Sequence, residues 1–388
     1  MLKQLLPRRK IKTNPLATTR DDSEGRKVDR KPIIKVIGIG SIGCGVIKGL
    51  AQRPLDGLDE IGLFKVDTDF GTCPDCKLPG EINLSIAVRE ILKLNYQRRQ
   101  IPDKSLIEIT DQIGEADILF IVASLKDKMS AEAAIVISHA AESIGAIAIG
   151  VVDNPFPAHL ELRTTEISKG ETIFLTHFDS MIVATKSRYS PEKEPLRDDQ
   201  EEDHVKRRLY ESVQDILNIT RPDALINFNL HDIQNCLTGH RLVTIGSDVA
   251  TGENSSARAA TFAFQDLISK IATISSQTHT SDKTLSGYRL VGMRGSVSSV
   301  GRSVDGGARF AITDPSFRAL AYLDFEHALV NVSGSSNMTM EEFVEASELI
   351  CQKKLGEKEP FIGLMLDKSF GKKIKVTILC NFILSTNQ

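Results

Sequence analysis

A glycine turn over residues 38–43 (GIGSIG) is the sequence feature with the clearest chemical potential. It follows the apolar run IIKVIGIG, which starts at Ile33 and predicts a buried strand, and it opens a segment predicted to be helical. Glycines at such a turn let backbone amides approach a phosphate, and the N-terminus of the following helix favours the anion. The candidate cofactor-binding residues of this turn are Gly38, Gly40, Ser41 and Gly43.

Two carboxylates extend this candidate site. The second apolar run ends in Val66-Asp67-Thr68-Asp69, and an acidic residue at that place is positioned to meet a ribose hydroxyl. Asp67 and Asp69 are therefore candidate cofactor-binding residues. The motif alone leaves three interpretations open: a dinucleotide site, a mononucleotide site, or a glycine turn that only packs a helix against a strand.

The elements that must position these residues alternate along the chain. Apolar runs at 61–66, 117–122, 145–152 and 181–185 predict strands, and segments such as 81–97 and 130–143 predict helices between them. This alternation is typical of parallel βαβ units and predicts an α/β, Rossmann-like sheet. After a charged loop at 191–203, residues 204–218 predict a long amphipathic helix.

Composition divides the chain into four parts. Residues 1–31 are polar with a basic start and predict a disordered tail, or an arm for an acidic partner or a membrane surface. Residues 32–203 predict a nucleotide-binding-type domain, and 204–222 a central helix with its linker. Residues 223–388 predict a smaller α/β domain with a Ser/Gly-rich insertion near 265–309 and with strands and a helix at 326–332, 339–354, 361–366 and 373–383.

The charge balance excludes some classes of function. The 388 residues contain 48 Lys and Arg against 51 Asp and Glu, a net charge of −3, which argues against a nucleic-acid binder. No apolar run approaches the roughly 18 residues of a transmembrane helix. Six cysteines are too few for a disulfide framework and favour the cytoplasm. Cys73 and Cys76 form a single CxxC, interpreted as two reduced thiols and not as a metal site.

Eight segments, in order from about Ile33 to about Phe382, resemble FtsZ, the bacterial member of the tubulin superfamily. IKVIGIGSIGCG resembles the FtsZ opening IKVIGVGGGGGN, VDTD resembles NTD, ADILFIVAS resembles ADMVFVTAG, and AIGVVDNPF resembles TVGVVTKPF. ITRPDALINFNLHDI is similar to ITRPGLMNVDFADV, and GSDVATGENSSARAA to GSGVASGEDRAEEAA. HALVNVSGSSNMTMEEFVEASELI and KIKVTILCNFI complete the series.

This resemblance implies a GTP-binding domain with a parallel sheet, a long central helix and a smaller C-terminal domain. It implies subunits that stack head to tail, with GTP or GDP at the junction and an acidic loop of the next subunit completing the hydrolytic site. Asn229 and Asp232 match that acidic loop, with the first aspartate replaced by asparagine. Arg163 matches an arginine of the family's nucleotide site.

The phosphate-binding loops depart from the family pattern. Where FtsZ has GGGTGTG, this chain has KDKMSAE at 126–132, without a glycine. Side chains then occupy a cradle that requires bare backbone. The guanine-reading Asn-Asp pair is Lys186-Ser187 here, and a neutral Asn229 cannot accept a proton from water.

These departures predict an FtsZ-like cytoskeletal or cell-division scaffold of the cytoplasm, a pseudo-GTPase and not an enzyme. It would assemble head to tail with itself or with an FtsZ-type partner and modulate that filament. Membrane-associated division factors are further candidate partners, since the basic tail could replace the family's C-terminal peptide, which is not found here. The alternatives are an active GTP-hydrolysing, polymerising protein and, third, an NAD-dependent enzyme using the glycine turn and Asp67.

Overall fold

The computed structural model describes residues 32–52, 61–66, 82–83, 103–154, 177–186, 198–221, 224–239, 241–277, 327–353 and 359–382. Within these ranges ten strands form one mixed sheet. The strands are β1 Ile34–Ile39, β2 Gly62–Val66, β3 Ile82–Asn83, β4 Ile118–Ala123, β5 Ile147–Val152, β6 Ser180–Val183, β7 Arg241–Thr251, β8 Ala328–Gly334, β9 Phe361–Leu366 and β10 Lys373–Phe382. The helices are α1 Gly40–Gln52, α2 Asp103–Ile113, α3 Lys128–Ser143, α4 Asp198–Ile219, α5 Leu230–Leu237, α6 Ser255–Gln277 and α7 Met340–Cys351.

The strand order is β3-β2-β1-β4-β5-β6-β7-β10-β8-β9. The strands from β3 to β7 in this order pair in parallel, whereas β10 is antiparallel to both of its neighbours, β7 and β8. The sheet continues without a break past the central helix, because β6 pairs with β7. This arrangement confirms the predicted α/β fold class with a largely parallel sheet.

Helices cover both faces of the sheet and create two apolar cores. Helices α2, α3, α6 and α7 bury their apolar faces in one core, and α1, α4 and α5 in the other. The stripe predicted for the central helix lies in this second core. It comprises Val205, Leu209, Val213, Ile216 and Leu217, all buried.

The structure corrects several predicted boundaries. Helix α4 begins at Asp198, inside the predicted loop 191–203, because the acidic residues there suit a helix N-terminus. In the segment 81–97, predicted as helix, residues 82–83 form strand β3 and the rest lies outside the described residues. Residues 265–277 of the predicted insertion belong to α6. Strand β7 and helix α2 were not predicted.

Buried ion pairs join the second half of α4 and the residues that follow it to the C-terminal strands. Asp215 is 4% exposed, accepts a hydrogen bond from Ser247 Oγ at 2.8 Å and pairs with Lys375. Arg221 pairs with Asp367, with 3.0 Å between Nη1 and Oδ2. Within the described ranges, no helix has the length and hydropathy needed to cross a membrane.

Candidate functional site

A cleft of about 490 Å³ lies at the carboxyl ends of β1 and β4. These two strands are neighbours at the point where the strand order reverses. The helices that follow them, α1 and α3, lie on opposite faces of the sheet, so the connections diverge and leave a crevice. Ligands of open α/β sheets bind at such a switch point. The lining residues are Ile39, Ser41, Ile42, Ser124, Lys126, Asp127, Ser130, Glu201, Glu202 and Val205.

The glycine turn forms one wall of this cleft and is explained by close packing. A Cβ on Gly38 would lie 2.2 Å from the carbonyl oxygen of Gly43, and a Cβ on Gly43 would lie 2.3 Å from that of Val122. Gly40 begins α1 with a φ of +69°, which disfavours other residues. Two of the predicted cofactor glycines are thus required by the packing of α1 on β1 and β4, whether or not a ligand binds. Ser41 is exposed and lines the cleft.

The opposite wall is the loop between β4 and α3. Asp127 is the N-cap of α3, and its carboxylate accepts hydrogen bonds from the amides of Met129 at 3.2 Å and Ser130 at 2.8 Å. The hydroxyl of Ser130 donates to the same carboxylate at 2.6 Å. In nucleotide-binding folds, the backbone amides at a helix N-terminus bind phosphate. Here the carboxylate of Asp127 already accepts hydrogen bonds from those amides.

A buried carboxylate holds this loop in place. Asp153, 8% exposed at the end of β5, accepts a hydrogen bond from Ser124 Oγ at 2.8 Å. Its second oxygen accepts from the amide of Leu125 at 2.9 Å. The first part of the loop is tied to the neighbouring strand, so Asp127 is presented from a fixed backbone.

The start of α4 closes the cleft and brings further negative charge. Lys126 pairs with Glu201, and the hydrogen bond and positive charge of Lys126 lower the pKa of that carboxyl. Glu202 pairs with Lys206, which lies outside the cleft lining. The described lining residues include one cation, Lys126, and three carboxylates, those of Asp127, Glu201 and Glu202. The cleft therefore has a net negative formal charge, which is unfavourable for a polyphosphate.

The predicted catalytic residues lie elsewhere. Asn229 Oδ1 accepts from the amide of Asp232 at 2.8 Å, and Asp232 Oδ2 accepts from the amide of Asn229 at 3.1 Å. This reciprocal capping box begins α5. The chain reaches α5 only after α4, which extends about 21 Å beyond its last cleft-lining residue, Val205. The structure brings Gly38, Gly40, Ser41 and Gly43 together at the cleft and leaves Asn229 and Asp232 outside its lining.

The other predicted site residues, Asp67, Asp69 and Arg163, lie outside the described residues, as do Cys73 and Cys76. In the described part of the chain, no group of three or more His, Cys, Asp or Glu side chains is arranged to hold a metal ion. The sequence analysis missed the capping role of Asp127 and the contributions of Asp153, Glu201 and Glu202. An aspartate just before a helical pattern was the available signal for the cap.

Two cell division proteins are similar to this chain over most of its length. No family model matches the chain. It is 24% identical over 362 residues to the cell division protein FtsZ 2 of Rhizobium meliloti, covering 90% of this chain and 88% of the relative. It is 23% identical over 372 residues to the cell division protein FtsZ of Magnetospirillum gryphiswaldense, covering 93% of this chain but 56% of the relative.

Solved structures share the fold. An empty FtsZ dimer from M. jannaschii superposes with a TM-score of 0.62 at 16% identity, covering 91% of this chain and 88% of that one. The GDP-bound monomer of CetZ1 from Haloferax volcanii gives a TM-score of 0.52 at 12% identity, covering 92% and 95%. The sheet, the cleft at its switch point and these similarities define the tubulin/FtsZ fold. Within it, this chain is a divergent FtsZ-like protein, as the sequence analysis predicted.

Proposed function

We propose that this chain is a scaffold protein of the FtsZ type, acting in cell division or a related cytoskeletal assembly in the cytoplasm, and that it does not turn over GTP. The named function of its two relatives, cell division, supports the first part. The second part depends on one observation: the Asp127 carboxylate already occupies the amides at the N-terminus of α3. Bound nucleotide would have to displace that carboxylate.

The magnitudes favour exclusion of a phosphate from this wall. A phosphate hydrogen-bonded to the freed amides would gain about 1.5–3 kcal/mol for each charged hydrogen bond. Two unit negative charges about 4 Å apart repel by about 4 kcal/mol at the effective dielectric constant of 20 typical near a surface. Asp127 imposes this repulsion and Glu201 and Glu202 add to it, while Lys126 is the cation on the described lining. The two amides that Asp127 occupies could together return about 3–6 kcal/mol to a phosphate. Repulsion from Asp127 alone offsets most of this gain, and the charges of Glu201 and Glu202 shift the balance against a phosphate.

Without GTP turnover, the role left for an FtsZ-type scaffold is assembly into a filament. The cleft and the Asn229–Asp232 box are separated along the chain by the part of α4 beyond the lining residue Val205, which is about 21 Å long. In a head-to-tail arrangement, the box of one subunit would face the cleft of the next, a contact that propagates instead of closing. We propose that the chain joins such a filament, with itself or with an FtsZ-type partner, and modulates its growth. Membrane-associated division factors are then the expected further partners.

One observation favours the alternative, a GTP-binding and GTP-hydrolysing polymerising protein. The glycine turn keeps its backbone geometry, and the cleft beside it has a volume of about 490 Å³ with Ser41 exposed on its wall. A nucleotide held by this turn alone would sit beside α1 and away from Asp127. The two proposals differ in whether removing Asp127 creates binding or merely changes it.

Calorimetric titration of GTP with Mg²⁺, together with a phosphate-release assay, separates the two proposals. We expect no binding to the unaltered chain, and for Asp127→Gly a gain in GTP affinity of at least about tenfold, equivalent to about 1.4 kcal/mol. Asp127→Ser retains a capping hydroxyl but removes the charge, so its gain should be smaller. Glycine is tolerated at an N-cap at a cost of a few tenths of a kcal/mol, so Asp127→Gly should fold.

Thr339→Gly is the matched control, because Thr339 caps α7 through the same kind of capping hydrogen bond and does not line the cleft. It should leave GTP binding unchanged. Micromolar GTP binding by the unaltered chain, with phosphate release that Asp232→Ala abolishes, would contradict the scaffold proposal and establish the active GTPase.

A further inference from the structure

A second concave surface lies far from the cleft, between α6 and α7. This α6–α7 groove has a volume of about 540 Å³ and is lined on its apolar side by Ala257, Met340, Val344 and Leu349. Met340 is 63% exposed and Val344 is 43% exposed, although the opposite face of α7 is buried in the core. Apolar side chains grouped in a groove mark an interaction surface more often than isolated ones do.

The rim of the groove is acidic. Glu341, Glu345 and Glu348 are all exposed and follow one another at i, i+4 and i+7, so they lie along one face of α7. Glu345 accepts a hydrogen bond from Ser256, and among the described residues no Lys, Arg or His forms an ion pair with Glu341 or Glu348. The occupant that fits such a groove is an apolar segment with several positive charges.

The first residues of this chain have that chemistry. Residues 1–12, MLKQLLPRRKIK, contain five Lys or Arg and no Asp or Glu. Three leucines, Leu2, Leu5 and Leu6, are followed by the run Arg8-Arg9-Lys10. Apolar side chains for the floor and cations for the rim therefore occur within one short segment.

The segment is long enough in sequence to reach the groove. Nineteen residues lie between position 12 and Pro32, and at about 3.3–3.6 Å per residue this stretch can span up to about 70 Å. In the sheet order, β8 lies six strand positions from β1, or about 29 Å at about 4.8 Å per strand. The layer of α6 and α7 adds about 10 Å.

We propose that residues 1–12 bind in cis to the α6–α7 groove, with the leucines on its apolar floor and the basic residues along Glu341, Glu345 and Glu348. The contact depends on charge and is therefore weakened by salt. It needs little intrinsic affinity, since a tethered segment is present at an effective concentration in the millimolar range. The docked segment would cover the groove. The groove would become accessible again when a competing partner or salt displaces the segment.

An exposed natural thiol beside the groove provides the test. Cys351 ends α7, next to the lining residue Gln352. The full chain carrying Leu5→Cys is treated with a short bis-maleimide, and the linked peptides are identified by mass spectrometry. We expect a link within one chain between the introduced thiol and Cys351, formed about fivefold faster than in a Ser23→Cys control, which measures the effect of tethering alone.

Two further variants and one salt condition decide the outcome. When Leu5→Cys is combined with Cys351→Ser, the cross-link must disappear. When Leu5→Cys is combined with Glu341→Lys and Glu348→Lys, the cross-linking rate must fall to that of the Ser23→Cys control. The rate of Leu5→Cys alone must fall to the same value in about 0.5 M salt. Both glutamates are exposed, so an unchanged thermal melting curve will verify that this chain is folded. A link mainly between two chains, equal rates for Leu5→Cys and Ser23→Cys, or a rate unaffected by the charge reversal would overturn the proposal.

Vesicles of phosphatidylglycerol and phosphatidylcholine test the alternative target of a basic segment. Co-sedimentation that requires residues 1–12, together with a link no faster than in the control, would assign the segment to a membrane surface and overturn docking in the groove. Co-sedimentation that is stronger in the Glu341→Lys, Glu348→Lys chain than in the unaltered chain would support the proposal, because the charge reversal would have released the segment.

Discussion

The central helix α4 is held in two different ways along its length. At its start, Glu201 pairs with Lys126 across the cleft, and the two side chains are 48% and 56% exposed. Beyond its end, Arg221 pairs with Asp367, and these side chains are 5% and 12% exposed. One pair is solvated and the other is almost enclosed by protein.

This difference shows where the molecule can adjust. An exposed pair contributes about 0–1 kcal/mol and can rearrange when a ligand or neighbour arrives. A buried pair adds little over a well-packed apolar contact, but removing one partner costs about 3–5 kcal/mol because it leaves an isolated charge. The junction with the C-terminal strands is therefore fixed, whereas the cleft edge is adjustable. The charged residues of the cleft edge can therefore be replaced at little cost to the fold.

The largest effect is expected at the buried end. Arg221→Ala should lower the free energy of unfolding by about 3–5 kcal/mol, because Asp367 keeps its charge without a partner. Urea denaturation followed by circular dichroism measures it. Arg207→Ala is the control, since Arg207 is 48% exposed and its distance to Glu211 is 3.9 Å. A loss below about 1 kcal/mol for Arg221→Ala would show that the two ends are equivalent.

The sequence was sufficient to predict the strands and helices whose apolar patterns are uninterrupted. Strand β9 lies where it was predicted, at 361–366, and the buried stripe of α4 was read correctly. Strand β7 was missed because Ser247 and Asp248 interrupt its apolar run. The hydroxyl of Ser247 meets its partner, Asp215 of α4, only in the folded protein. The start of α4 was missed because charged residues suit a loop as well as a helix N-terminus.

The candidate site was predictable only in part. The glycine turn was found, but its main physical reason, the approach of α1 to β1 and β4, depends on contacts with Val122 in a distant strand. The absence of glycine at 126–132 was visible in the sequence, and it suggested side chains that obstruct the cradle. The structure adds that one of them, Asp127, occupies the helix amides and that α4 adds two more carboxylates to the cleft.

The pH dependence of stability gives an intermediate effect at the fixed end. Burial acts to raise the pKa of Asp367, but hydrogen bonds from Ser369 and Arg221 outweigh it, and the pKa lies below its usual value. This carboxylate therefore stabilises the protein above about pH 4 and loses its contribution as the pH falls towards the depressed pKa. Asp367→Asn keeps an oxygen that can accept from Arg221 but removes the negative charge. It should therefore cost about 1.5–3 kcal/mol at neutral pH, less than Arg221→Ala, and less still in acid.

Asp248 provides a control of opposite sign. Burial raises the pKa of Asp248, and the negative charge of Asp266 adds to this effect. The ionised form is therefore disfavoured in the folded protein, and stability falls as the pH rises through the raised pKa. Asp248→Asn should stabilise the protein at neutral pH, with a gain that disappears in acid. Urea midpoints measured from pH 3 to pH 8 compare both variants, and parallel profiles would contradict the assignment.

The smallest effect is expected at the cleft. A double-mutant cycle of Glu201→Gln and Lys126→Met should give a coupling energy of at most about 1 kcal/mol in urea denaturation, because both side chains are about half exposed. The same Glu201→Gln change, combined with Asp127→Gly, should raise GTP affinity further, since it removes a second carboxylate from the lining. A coupling above about 2 kcal/mol would mean that α4 is fixed at both ends, so that the cleft could not adjust to a ligand without straining the helix.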